Sequence, residues 1–487
     1  MGLGPASLVR LAAEGASASS RGAPVGTHTT GRFVRVPRPS WRFWRLDATL
    51  VAGVGLLVGA GAPTGCSHAR KAPAYAVSAR PRGSTVVGPV DAGAPVANGP
   101  PANCNVVLLS VDSMRADMPW AGYDRAIAPR LTEFESRSVS YTQAYAVSSY
   151  TSMSLGGLLA GRLPSELRRS GYFFGTYPKE AFFPRDLQKA GVHTMGVMAH
   201  LYFATAGFDV GFDEWKITPG IVFDPITDRE VTSPKTEELA EQLLNERENA
   251  DRRFFLWTHW LDPHDVYVHH DGIDWGKRDR DRYDGEITFT DQYIGHLLDF
   301  MASKPWASRT VIIVTSDHGE EFGEHRMMRH GFELWNTLVH VPLFIFVPGN
   351  APRRIDVPRS GLDIAPTILE LFGVERGSSL EGTSLVSELS GAPAQPRDVL
   401  VDLPPTSDNA RRRALVRGKS KLICFGGDAY CMLYDLTKDP LELHGISKGE
   451  EFAAMKARYR ELRASIKDVA PYACNVGCLE GAYRNRQ

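Results

Sequence analysis

The 487 residues carry 55 Lys and Arg against 56 Asp and Glu, a formal net charge of −1, so no overall field recruits nucleic acid and any anion must be held by a local site. Apolar residues make up 43% and charged residues 23%, the balance of a globular chain, and the length suits one large domain beside a smaller one. Six cysteines in this length exclude a disulfide scaffold.

The basic residues before position 46 are all arginine, from Arg10 to Arg45, and the apolar run Ala48–Ala62 follows with no charge in it. That run is short for a membrane span, which needs about 20 residues; a basic flank, a short apolar stretch and small residues read as an export signal. Pro63-Thr64-Gly65-Cys66 resembles a bacterial lipoprotein box, with Pro63 where a branched aliphatic is usual. Residues 1–66 therefore read as a leader that is lipidated at Cys66, cleaved, or kept as an anchor, and the protein is expected in the cell envelope, membrane-anchored or outside the membrane. Residues 67–103, rich in Ala, Pro, Gly, Val and Ser without a period, read as a tether.

Order is expected from Asn105. The run Asn105–Val111 is nearly continuous in apolar residues, as a parallel strand buried on both faces requires. Similar runs follow at His193–Ala199, Phe254–His259, Thr310–Ser316 and Val341–Val347. Helical patterns separate them at Pro129–Ser138, Phe183–Gly191, Thr236–Glu248, Glu286–Ala302 and Asp363–Phe372. This alternation predicts an α/β fold with a mostly parallel central sheet sandwiched by helices. After about residue 380, short strands (Asp398–Asp402, Arg413–Arg417, Lys421–Phe425, Met432–Asp435) and a helix over Glu450–Val469 predict a small antiparallel sheet plus helix. Export permits disulfides; Cys424 and Cys431 flank a predicted hairpin, and Cys474 and Cys478 lie one helical turn apart.

Reactive groups of open α/β sheets gather beyond the carboxyl ends of the strands. Asp112 follows the first strand, and Asp317 follows the Thr310–Ser316 strand with His318 next to it. Two carboxylates and an imidazole at one sheet edge form a candidate site for a divalent ion, Ca, Mg, Mn or Zn. Either Asp by itself is an ordinary loop cap; the combination points to chemistry.

Val111-Asp112-Ser113-Met114-Arg115-Ala116-Asp117 is similar to the opening motif of bacterial sulfatase-like proteins of the alkaline phosphatase superfamily. Leu158-Leu159-Ala160-Gly161-Arg162-Leu163-Pro164 resembles the end of that family's nucleophile helix. Asp317-His318-Gly319-Glu320-Glu321, His330-Gly331, Val341-Pro342-Leu343, Asp363-Ile364-Ala365-Pro366-Thr367 and Glu381-Gly382-Thr383 follow in the family's order. The resemblance runs from about 104 to 440 and implies a catalytic domain over 104–380 with a smaller subdomain over 381–487. It implies Thr151 as nucleophile and fourth metal ligand beside Asp112, Asp317 and His318. Sulfatases carry there a Cys or Ser that becomes formylglycine; Thr151 looks instead like the Thr-type relatives. Threonine also suits a helix cap, and a helix start favours an anionic ester beside it.

His264, in Asp262-Pro263-His264, and His330 are implied to contact the ester or protonate its leaving oxygen, or else to hold a second zinc. His259, His325 and His340 read as hydrogen-bonded loop residues, His269-His270 as a solvated pair, and Glu320, Glu321 and Glu324 as an exposed charged turn. Leu155 stands where the family commonly has a cation. The resemblance thus implies a hydrolase of sulfate or phosphate esters on a glycan or lipid. Its alternatives are a transferase of phosphoethanolamine or phosphoglycerol type and a catalytically weak binding protein of the envelope.

Overall fold

The computed structural model describes residues 99–471, apart from 172–174, 180–181, 222–228, 247–250, 378 and 407–408. The Arg-rich leader, the Cys66 motif and the Cys474–Cys478 pair lie outside the described residues. No helix among the described residues is long and apolar enough to cross a membrane.

The strands in chain order are β1 (Asn105–Val111), β2 (Val139–Tyr141), β3 (Ala144–Tyr145), β4 (His193–Met198), β5 (Glu214–Ile217), β6 (Phe254–Trp260), β7 (Thr310–Ser316) and β8 (His340–Val341). They continue as β9 (Leu343–Phe346), β10 (Arg353–Ile355), β11 (Arg359–Ser360), β12 (Val399–Leu403), β13 (Arg412–Arg417), β14 (Ser420–Phe425) and β15 (Tyr430–Asp435). The helices used below are α1 (Pro129–Ser136), α2 (Thr151–Ala160), α3 (Pro184–Lys189), α4 (Ser233–Asn245), α5 (Asp279–Ala302), α6 (Asn336–Val339), α7 (Ile364–Leu371), α8 (Val386–Leu389) and α9 (Glu450–Ser465).

The main sheet has the order β10-β2-β9-β7-β1-β6-β4-β5. From β7 to β5 all neighbours are parallel, and β9 runs antiparallel to β7 and β2. Alternate residues of β1 enter opposite cores, which explains its nearly continuous apolar run, broken at Ser110. Val106 and Leu108 pack with Leu155 and Leu158 of α2 and Ile368 of α7. Val107, Leu109 and Val111 pack with Leu131 and Phe134 of α1, Leu243 of α4, and Ile287 and Ile294 of α5. Each buried aliphatic contributes about 1.5–3 kcal/mol relative to exposure, so both faces are held firmly.

The fold class expected from the sequence is the one observed. The run Val341–Val347 is interrupted, because Pro342 has no N–H to continue a ladder. β8 joins a separate sheet of order β11-β3-β8, and β9 stays in the main one. The helix expected from Glu286 begins at Asp279; its first turns show no apolar period because charge pairs hold them, Asp281 and Asp284 with Arg125 and Arg280. β12 to β15 form a four-stranded antiparallel sheet covered on one face by Met455 and Tyr459 of α9. Its other face shares a core with Tyr145, Met153, Leu334 and Leu338. Cys424 and Cys431, opposite each other in β14 and β15, are disulfide-bonded.

Candidate active site

Register brings the two acids together. β1 and β7 are parallel with Val111 opposite Ser316, so the next residue of each strand, Asp112 and Asp317, leaves the sheet at the same edge. Ser113 turns the chain in the left-handed region, at φ 59°, a conformation that costs a non-glycine residue of order 1–3 kcal/mol and clusters at functional sites. The turn lets Ser113 donate its N–H to Asp317 Oδ1 (3.2 Å) and its hydroxyl to Asp112 Oδ1 (3.0 Å). On the other side, Gly319 passes directly under the Thr337 carbonyl, where a Cβ would sit 2.1 Å from the oxygen.

His318 donates from Nδ1 to the Gly319 carbonyl (2.9 Å). A carbonyl only accepts, so the neutral ring turns its Nε2 lone pair inward. That atom lies 3.0 Å from Thr151 Oγ1, 3.4 Å from Asp317 Oδ2 and 3.7 Å from Asp112 Oδ1. Thr151 Oγ1 also lies 3.5 Å from Asp112 Oδ2. Thr151 is the first residue of α2, and the capping position belongs to Tyr150, with no side-chain cap bond. The threonine hydroxyl is thus directed at the acidic cluster rather than at the helix backbone. α2 is buried along its length from Ser152 to Ala160, which anchors Thr151 on a rigid element.

Asp112, Asp317 and His318 each offer a ligand atom, all within 4.8 Å of one another. Burial raises the Asp112 carboxyl, yet His264 and the hydrogen bond from His259 outweigh it and hold the group below the usual carboxylate range. Asp317, buried beside Asp112, is driven well above that range. Burial and then His330 push the His318 imidazole well below its ordinary value. Asp317 Oδ2 is buried without a hydrogen-bond partner. Two adjacent carboxylates, a neutral nitrogen and an orphaned buried oxygen form a donor set that fits a divalent cation.

His330 and His264 complete the surroundings. The His330 ring lies 4.1 Å from that of His318 and 5.0 Å from that of His264. His330 Nδ1 faces both oxygens of Glu320, at 3.2 and 3.3 Å, and His264 Nδ1 faces the Asp265 carbonyl at 2.8 Å. Among the described residues no second group of three metal-ligating side chains assembles around these two histidines.

Several expectations about neighbouring residues are corrected. Glu320 and Glu321 are not exposed; both are fully buried. Glu320 accepts from Tyr267 and His330, and Glu321 accepts from His325 and Thr337. Glu324 accepts from the buried Arg115 guanidinium, which also grips Asp117. His270 is buried against Glu286 (2.6 Å) and stacked on Phe289, so only His269 of that pair is exposed. His325 and His340 are hydrogen-bonded, the latter to the Thr142 carbonyl at 3.0 Å. His259 lies inside β6 rather than in a loop, its Nε2 3.3 Å from Asp112 Oδ2. Leu155 faces away into the hydrophobic core, fully buried.

The parallel sheet and the side chains converging at its carboxyl edge define an ester hydrolase of the alkaline phosphatase-like superfamily. The sulfatase family model matches residues 104–374, and a model of the N-sulphoglucosamine sulphohydrolase C-terminal region matches 323–469. The chain belongs to the sulfatase family, which typically binds a metal. A choline-sulfatase of Rhizobium meliloti is 25% identical over 76% of this chain and 88% of its own length. Arylsulfatase K of Mus musculus is 32% identical over 32% of this chain and 30% of its own length. Among solved structures, the phosphonate monoester hydrolase of Agrobacterium radiobacter superposes with a TM-score of 0.63 at 19% identity, over 74% of this chain and 95% of that one. A structure in complex with its substrate D-glucosamine-2-N,6-O-disulfate superposes at 0.57 with 18% identity, over 74% and 96%.

Proposed function

We propose that the protein hydrolyses sulfate or phosphate esters with Thr151 as nucleophile and one divalent cation held by Asp112, Asp317, His318 and Thr151. The observation that carries this reading is the Thr151 hydroxyl 3.0 Å from His318 Nε2 and 3.5 Å from Asp112 Oδ2. When bound, the cation would lower the energy of the threonine alkoxide and neutralise charge on the ester. The chain's own residues supply the rest. Thr151 gives up its proton toward Asp112 Oδ2, the acceptor in reach, since the single lone pair of His318 Nε2 is the one that would hold the cation. Its oxygen bonds to sulfur or phosphorus as the bond to the alcohol oxygen breaks. His330 or His264 protonates that leaving oxygen. Water then attacks the same sulfur or phosphorus, the bond to Oγ1 breaks, and Thr151 recovers its proton. A sulfated sugar is the preferred substrate class, supported by the glucosamine disulfate bound to a relative of the same fold.

The binding-protein reading draws on Leu155, whose burial leaves α2 without a cation turned to the ester. Rates on an aryl sulfate, a phosphate monoester, a phosphodiester and a phosphonate separate the two. The parent should exceed Thr151→Ala by at least about 10³-fold on one of them; equal rates on all four would remove Thr151 from the chemistry. Export and anchoring belong to the same proposal, and the Cys424–Cys431 disulfide is consistent with an oxidising compartment.

A further inference from the structure

His259 is fully buried in the middle of the molecule, where an imidazole needs partners for both nitrogens. Its partners lie on and just beyond one neighbouring strand, since Ser110 of β1 stands opposite His259 of β6 and Asp112 follows that strand. Nδ1 is 2.9 Å from Ser110 Oγ, and Nε2 is 3.3 Å from Asp112 Oδ2. Trp257, two residues earlier on the same face of β6, donates its indole N–H to Ser110 Oγ at 2.8 Å. An edge contact from Phe203, ring centroids 5.2 Å apart, holds the imidazole from the side.

The direction of the bonds follows from the donors present. An indole N–H can only donate, and a carboxylate can only accept. His259 therefore carries a proton on Nε2, toward Asp112. Ser110 receives from Trp257 and has one proton to pass on, with His259 Nδ1 at 2.9 Å and the Thr258 carbonyl at 3.2 Å both in reach. His259 thus donates from Nε2 to Asp112 whichever way the Ser110 proton points. It engages Oδ2 and fixes the rotation of the carboxylate, so that Oδ1 is aimed at His318 Nε2 and the cluster.

We propose that His259 is a positioning residue for cation binding: through this buried donor chain it presets the Asp112 carboxylate. This rests on the cation reading above. The test is calorimetric titration of manganese(II), and separately calcium, into chelator-treated protein. His259→Leu should weaken binding about 10–100-fold, the usual effect of removing a hydrogen bond behind a metal ligand. His259→Gln, whose amide N–H reaches the place of Nε2, should recover most of that loss, which filling space alone would not do. Ser110→Ala in the His259→Leu background should add nothing further, because Ser110 acts through the ring. A folded His259→Leu that binds within twofold of the parent, or a Gln variant no better than Leu, overturns the proposal. Should His259→Leu fail to fold, Ser110→Ala alone decides, with unchanged affinity overturning it. If Asp317→Ala binds as tightly as the parent, the cation reading itself fails, and this inference with it.

Discussion

Two buried charge clusters in this molecule are built on opposite plans. In the small sheet, Arg413 pairs with Asp402 at 2.6 Å and Lys421 with Glu442 at 2.9 Å, all four fully buried. At the carboxyl edge of the main sheet, Asp112 and Asp317 stand side by side, with Ser113 donating to both, and the basic side chains paired with them among the described residues are imidazoles, His259 and His318. A closed pair balances its own charge and serves the fold. An unbalanced pair raises the energy of the metal-free protein and leaves a place for a cation. Burial is the same in both clusters; closure is what separates structure from chemistry.

That contrast can be broken from either side. Asp317→Asn should lower kcat/KM by about 10³-fold or more, as chelation of the parent should, because the cation loses a ligand. The same substitution relieves the repulsion with Asp112, so the melting temperature of metal-free protein should stay or rise. Added manganese(II) should then stabilise the parent and not the variant. Arg413→Met should do the reverse, lowering stability by about 3–5 kcal/mol in urea unfolding, because Asp402 is left buried and unpaired. Per folded molecule, its activity should stay near that of the parent.

Smaller effects sharpen the assignment within the site. His330→Ala should slow esters with poor leaving groups by about 10²-fold and activated aryl esters far less, if its proton goes to the leaving oxygen. An equal loss on both would give His330 a binding role instead. Reducing the Cys424–Cys431 bridge, which closes a sequence separation of 7, should cost about 2–3 kcal/mol of stability and leave the rate constant at 25 °C unchanged.

Much of the fold was legible because parallel strands buried on both faces are nearly continuous in apolar residues, as in Val106–Leu109 of β1 and Val311–Val314 of β7. The same fact marks Asp112 and Asp317 as the first polar residues beyond the sheet. The short strands β2, β3, β10 and β11, two or three residues each, carry no period to read. Glu320 reads as part of a charged turn because its partners, Tyr267 and His330, lie 53 and 10 residues away. His259 was obscured in another way. One histidine in an apolar run does not reveal which side of the strand faces Asp112. Trp257 and Trp260 enter different cores, and only the register with Ser110 decides.

The most direct test of the account is to quench turnover of an aryl sulfate or phosphonate with acid and map the protein by peptide mass spectrometry. A sulfo or phosphono adduct on Thr151 is the predicted result. Turnover at the parental rate with Thr151 unmodified, or with the adduct on another residue, would contradict it.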